Sequence, residues 1–197
     1  MSATRILCLH GYHGSAAILR RQIAPLAAGL PSDVDLTFVD APSLSTGDFG
    51  WWHEGFRGWE RTRDRMIDVI GVDRFDGILG FSQGAALTGL LAALRETGSA
   101  SISFDMAIMV GGFTSTLPQH ADLFTRKLAV HSLHVMGRAD GIVPMRDSLL
   151  LAERFADPVI IEHRGGHVIP DDPSITSQIA DFVAHHTRVA STRSGDG

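Results

Sequence analysis

Three short stretches of this sequence carry side chains that could act together on an acyl group. The first, Gly80-Phe81-Ser82-Gln83-Gly84, has the G-x-S-x-G form in which a serine is held on a sharp turn between a strand and a helix. Glycines at the second position on either side let the backbones pass closely, and the turn lifts the hydroxyl above the strand ends. A serine hydroxyl is a weak nucleophile on its own and needs a base. In the chain order that goes with this motif, the acid comes next and the histidine last. Gly165-Gly166-His167 follows a strand-like run and supplies the base, because the flexible glycines let an imidazole lean over the turn. Gly137-Arg138-Ala139-Asp140 follows the preceding strand-like run, and Asp140 there is placed to fix the tautomer of His167 and to stabilise its cationic form.

Ser82 and Asp140 have structural alternatives, a plain glycine-rich strand–helix turn for the first and a turn residue or helix cap for the second, and His167 competes with nine other histidines. Asp147, Asp171 and Asp172 lie in or beside helical patterns and suit the role of acid less well. His163 sits close to a strand body, His131 and His134 start a strand, and His185 and His186 end the last helix, so packing or surface roles fit them better. An acyl transfer also needs N–H groups aimed at the developing oxyanion. The amide of Gln83, just after the serine, is one expected donor. The second is expected from the Tyr12 amide in Leu9-His10-Gly11-Tyr12-His13-Gly14, where His10 and His13 would orient the loop or line its mouth.

These residues require a scaffold that brings distant segments to one edge. Short apolar runs at 5–9, 34–39, 76–79, 105–110, 132–136 and 159–162 alternate with amphipathic stretches at 15–28, 59–70, 83–97, 144–155 and 173–185. That alternation predicts an α/β fold with a mainly parallel sheet of about six strands and helices on both faces. Ser15 is an expected helix cap, and Pro144 and Pro173 suit a first helical turn. Two stretches, 41–58 and 111–130, exceed ordinary connections and leave from strand carboxyl ends, where the pocket of an open parallel sheet lies. Phe49, Trp51, Trp52 and Phe56 crowd the first and Phe113 stands in the second. Trp51, Trp52, Phe56 and Phe113 are the expected apolar wall of a substrate pocket; packing of the loop onto the body is the alternative.

The 197 residues, 44% of them hydrophobic, are expected to make one domain over 1–190 with a polar, disordered tail at 191–197. A net charge of −5, with the basic run at 61–65 interrupted by Asp64, argues against nucleic acid as a partner. The single cysteine, Cys8, excludes an internal disulfide and sits in an apolar strand. No apolar run is long enough to span a bilayer, and the amino terminus reads directly into a strand; the expectation is a cytoplasmic protein. No Cys/His cluster has zinc spacing and no phosphate-binding glycine loop occurs, so no cofactor and no metal are expected.

The sequence resembles the compact α/β-hydrolases called the "family of serine hydrolases" (FSH type). The resemblance is carried by Leu9-His10-Gly11, Asp40-Ala41-Pro42, Trp51-Trp52, Phe56-Arg57-Gly58-Trp59-Glu60, the run from Phe75 through Ala85, Gly137 with Asp140, and Gly165-Gly166-His167-Val168-Ile169-Pro170. It spans nearly the whole chain and implies an α/β-hydrolase fold without a large lid domain. It also implies hydrolysis of a carboxylic ester or thioester, free or carried on a carrier protein, through an acyl-enzyme. Acyl transfer to an alcohol or amine, hydrolysis of a lactone, and ligand binding without turnover are the alternatives the same residues leave open.

Overall fold

The computed structural model describes residues 3–45, 48–98 and 102–193. In chain order the strands are β1 (Thr4–Leu9), β2 (Val34–Val39), the short β3 (Ser43–Ser45) and β4 (Asp48–Phe49), β5 (Gly77–Phe81), β6 (Met106–Val110), β7 (His131–Gly137) and β8 (Pro158–His163). β3 and β4 make a separate antiparallel hairpin. The other six form one sheet in the order β2-β1-β5-β6-β7-β8, every pair parallel.

Side chains alternate across a strand, so each central strand feeds two cores. Ile6 and Cys8 point to one face, with Leu79, Ile108 and Val135, and there meet Leu19, Leu26, Ile179 and Val183. These come from α1 (Ala16–Gln22), α2 (Ala24–Gly29) and α6 (Pro173–Arg193). Leu7 and Leu9 point to the other face, with Ile78 and Ala107, and meet Met66, Ile70, Leu90, Leu91 and Leu151. These come from α3 (Trp59–Asp73), α4 (Gln83–Thr97) and α5 (Met145–Ala152). Burial on both faces explains why the strand runs are almost continuously apolar.

The helices differ from the sequence expectations at their ends. The helix expected over 15–28 is two, hinged at Ile23, because Pro25 has no N–H to donate and its ring excludes the carbonyl one turn back. Ser15 caps the first, its hydroxyl accepting from Ile18 N–H at 3.1 Å. α5 starts after Pro144 and stops at Ala152, short of Phe155, whereas α3 continues past Ile70 to Asp73. α6 runs to Arg193, into the stretch read as a polar tail; residues 194–197 of that tail lie outside the described residues.

Strand order reverses between β1 and β5: the chain leaves β1 toward β2 at one edge, then returns to lay β5 on the other side of β1. That reversal opens a crevice at the carboxyl ends, into which the loops after β1 and β5 both project. The two long connections rise from the same edge and contain short elements of their own: the β3–β4 hairpin and a 3-10 turn at Glu54–Phe56 in the first, and a 3-10 turn at Pro118–Phe124 in the second.

Candidate active site

At the end of β5 the backbone enters α4 through Ser82 at φ 55° and ψ −118°, a conformation that a side chain rarely adopts. The turn is held from both sides: Ser82 N–H donates to the Val110 carbonyl at 2.8 Å, and the Ser82 carbonyl accepts from Ala86 N–H at 3.0 Å. The two motif glycines are steric necessities. A Cβ on Gly80 would lie 2.3 Å from the Gly84 carbonyl oxygen, and one on Gly84 would lie 2.2 Å from that of Leu9.

His167 and Asp140 meet this serine from two other loops. Nε2 of His167 is 2.8 Å from Ser82 Oγ, and Nδ1 is 2.7 Å from Asp140 Oδ2. A carboxylate can only accept, so Nδ1 carries the proton and Nε2 is left to accept from the serine hydroxyl. The other carboxylate oxygen, Oδ1, accepts from Ile142 N–H at 2.9 Å and Val143 N–H at 2.8 Å. Burial pushes the Asp140 carboxyl up, but the hydrogen bond with His167, those from Val143 and Ile142 and the electrostatic pull of His167 outweigh it and hold the group below the usual carboxylate range. The Phe81 ring packs against the imidazole at 5.0 Å. Gly111 leaves the space the ring needs: it has φ 58°, and a Cβ there would sit 3.1 Å from His167 Cε1. Gly137 lets the two loops touch, since its Cβ would lie 2.5 Å from the Gly165 carbonyl.

A cleft of about 510 Å³ opens beside Ser82, lined by Tyr12, Gln83, Phe113, Thr114, Thr116, Ile142, Val143, Asp147 and Leu150. Tyr12 and Gln83 are thus brought to the serine. The β1 loop lies so close that a Cβ on Gly11 would be 3.2 Å from that of Ser82. Phe113 also lies where sequence reasoning put it. Trp51, Trp52 and Phe56 do not line this cleft. Trp51 and Trp52 are 1% and 5% exposed in the core; Trp52 stacks on Phe56 at 4.7 Å and meets Trp59 edge-on. The physical reason is that large apolar rings on a loop gain more from burial against α3 and α4 than from a wet cleft wall.

The wall is instead built by residues the sequence reading passed over. Ile142 and Val143, beside Asp140, and Asp147 and Leu150 on α5 form one side, Thr114 and Thr116 the other. Ile142 is 74% and Leu150 47% exposed. An apolar pair in the loop directly after the expected acid was the available signal. His10 lies within the β1 loop, where the sequence reading had it orient the loop or line its mouth. It is buried, its Nδ1–H donates to the Gly11 carbonyl at 2.7 Å, and Nε2 accepts from Ala41 N–H at 3.0 Å; burial pushes its pKa down, so the neutral form this pattern needs is favoured. His13 is at the surface, paired with Asp48 at 2.8 Å. His163 accepts from Gly165 N–H, and His131, His185 and His186 stack near the end of α6, far from Ser82 in the fold.

A larger hollow, about 760 Å³, lies at the opposite edge of the sheet among Arg5, Asp73, Arg74 and Asp76, and takes in neither Ser82, His167 nor Asp140. Among the described residues no group of three or more His, Cys, Asp or Glu is placed to hold a metal ion, and no helix is long and apolar enough to cross a membrane.

Comparison with known proteins agrees with the fold. The family model described as Serine hydrolase (FSH1) matches residues 1–179. Esterase OVCA2 of Xenopus tropicalis is 32% identical over 197 aligned residues, covering 84% of this chain and 86% of that protein. Two solved structures share the architecture. The Zea mays acyl-protein thioesterase 2 superposes with a TM-score of 0.67 at 17% identity, covering 94% of each chain. The Bacillus cereus carboxylesterase superposes with a TM-score of 0.69 at 18% identity, covering 93% of this chain and 89% of that one. At such identities the likeness speaks for the α/β-hydrolase fold alone, but the family match runs from the first strand into the last helix, through all the segments that meet at Ser82. The chain therefore belongs to the FSH1 serine hydrolase family.

Proposed function

We propose that this enzyme hydrolyses a carboxylic ester or thioester in two acyl-transfer steps, with Ser82 as nucleophile, His167 as general base and acid, and Asp140 as the group that orients His167. The observation that carries the reading is the unbroken hydrogen-bonded series from hydroxyl to imidazole to buried carboxylate, at 2.8 and 2.7 Å. His167 Nε2 takes the hydroxyl proton as Ser82 Oγ bonds to the carbonyl carbon, and the carbonyl oxygen becomes an oxyanion. Collapse breaks the bond to the leaving alcohol or thiol, to which His167 returns the proton. Water then attacks the acyl-enzyme by the same route and frees Ser82. The amides of Tyr12 and Gln83 hold the oxyanion, helped by the amino terminus of α4. The acyl group lies against Phe113, Ile142, Val143 and Leu150.

The test is labelling with a fluorophosphonate, mapped by peptide mass, together with turnover on paired oxygen esters and thioesters. Label on Ser82 and turnover lost in a folded Ser82→Ala variant are the expected results; turnover retained by that variant would refute the assignment.

A further inference from the structure

We infer that Trp51, Gln83 and His10 form a buried brace that sets the spacing of the two oxyanion donors, which makes them positioning residues for the reaction. The inference rests on the reading above, in which the donors are the amides of Tyr12 and Gln83.

The two donors stand on different segments, and the sheet does not fix the gap between them. β1 and β5 pair in register from Ile6 with Gly77 to Leu9 with Gly80, so their ladder ends at Leu9 and Gly80, before either donor is reached. Beyond that point one residue reaches both loops. The Trp51 indole N–H donates to the His10 carbonyl at 2.7 Å, and the Trp51 backbone N–H donates to Gln83 Oε1 at 2.8 Å. The other end of the same side-chain amide, Gln83 Nε2, donates to the Trp52 carbonyl at 2.9 Å. The orientation of the Gln83 amide follows from its partners, since a backbone N–H can only donate and a carbonyl can only accept.

The brace is anchored at both sides. Thr62 on α3 donates its hydroxyl to the Trp51 carbonyl, which ties the loop to the body. On the β1 side the His10 ring holds the Gly11 carbonyl, next to Tyr12, and is itself held by Ala41 N–H. Trp51, His10, Gln83 and Thr62 are all buried, and each of these polar groups has its partner. A fully satisfied buried network permits few alternative geometries. Rigidity there matters because displacement of a reacting group by about 1 Å can cost on the order of 100-fold in rate. Plain loop packing would bury the Trp51 ring, but it would not require both its N–H groups to be directed at the two donor loops.

The experiment compares Gln83→Met, which keeps the length of the side chain without its hydrogen bonds, and Trp51→Phe, which deletes the indole donor, with Trp59→Phe. Trp59 packs in the same aromatic cluster, edge-on to Trp52, and reaches neither donor loop through a hydrogen bond. Kinetic constants on a short-chain ester are measured beside the inhibition constant of a matching trifluoromethyl ketone, whose adduct with Ser82 carries an oxyanion. Expected for Gln83→Met and Trp51→Phe is a fall in kcat of about 10- to 100-fold with KM little changed, and a rise in the ketone's inhibition constant by a similar factor. Trp59→Phe is expected to leave both near wild type. Brace variants that lose no more kcat than Trp59→Phe, that lose kcat without weakening the ketone, or that all fail to fold would overturn the proposal. The reading beneath it fails separately: in that case the wild-type protein is not labelled at Ser82 and does not bind the ketone.

Discussion

Replacing Ser82 by glycine should make the protein inactive and more stable than replacing it by alanine. Both variants lose the hydroxyl and with it the hydrogen bond to His167. They differ in that alanine keeps a Cβ on a residue at φ 55°, ψ −118°, where glycine is at ease. A side chain forced into such a region costs about 1–3 kcal/mol. Against this, glycine gives the unfolded chain more freedom, about 0.5–1 kcal/mol. The balance is about 1–2 kcal/mol in favour of Ser82→Gly. For a chain of this length that is a rise in Tm of about 2–8 °C over Ser82→Ala. Thermal and urea melts of the two variants, with circular dichroism to confirm the shared fold, measure it directly. If Ser82→Gly proved no more stable than Ser82→Ala, the elbow would store no strain, and the claim that the hydrogen bonds to Val110 and from Ala86 hold Ser82 in a strained conformation would fall.

Asp140→Asn should lower kcat by about four orders of magnitude with little change in KM, because an amide can present its N–H to His167 and favour the wrong tautomer; steady-state kinetics decide this, and a loss below tenfold would remove Asp140 from the proposed role. His134 gives a pH dependence of stability. It is buried beside Phe155, and burial pushes its pKa down to about 3. Its folded pKa is depressed, so the unfolded chain binds the proton first. The stability it contributes is complete above about pH 6.5 and is lost as pH falls toward that lower value. Urea melts across this window should therefore show wild type losing about 1.4 kcal/mol per pH unit more than His134→Gln; equal slopes would refute it. Asp147 is the charged side chain in the cleft lining. Asp147→Asn should raise kcat/KM about 3- to 10-fold for an ester whose acyl chain ends in a carboxylate, relative to a neutral isostere, with the gain shrinking in salt; an unchanged ratio would show that the acyl chain does not pass that wall.

The meeting of Ser82, His167 and Asp140 could be read in the sequence because each follows its own strand, and the sequence signals for a buried parallel strand are strong. Ile78 and Leu79 run into Gly80 and Ser82, Val135 and Met136 into Gly137 and Asp140, and Ile161 into Gly165 and His167. Strand order then does the rest, since parallel neighbours deliver their following loops to one edge. The helix break at Pro25 was missed, although a proline inside an otherwise continuous pattern is its signal. What could not be read was the use of the aromatic loop. Hydrophobicity says that Trp51 and Trp52 seek burial, but not whether protein or substrate provides it. That depends on long-range contacts, here with α3 and α4, that no local pattern contains. The cleft wall was hidden for the converse reason. Ile142 and Leu150 are ordinary apolar residues in a loop and on a short helix, and only the folded arrangement leaves them exposed beside Ser82.

The two long connections consequently do different work, although both rise from the same edge of the sheet. The first, 41–58, turns its large rings inward and reaches the elbow through hydrogen bonds with the Gln83 side chain and the β1 loop through His10. The second, 111–130, offers Phe113, Thr114 and Thr116 to the cleft, opposite Ile142 and Leu150. Substitution at Phe113, Thr114 or Thr116 in the second changes what lines the cleft, whereas Gly111 at its start must stay small for His167. Substitution in the first disturbs buried hydrogen bonds near the reacting atoms, where small displacements are expensive. On the function proposed above, the first connection serves the geometry of the reaction and the second meets the acyl group, and the apolar side chains exposed at the mouth are there for a substrate to cover.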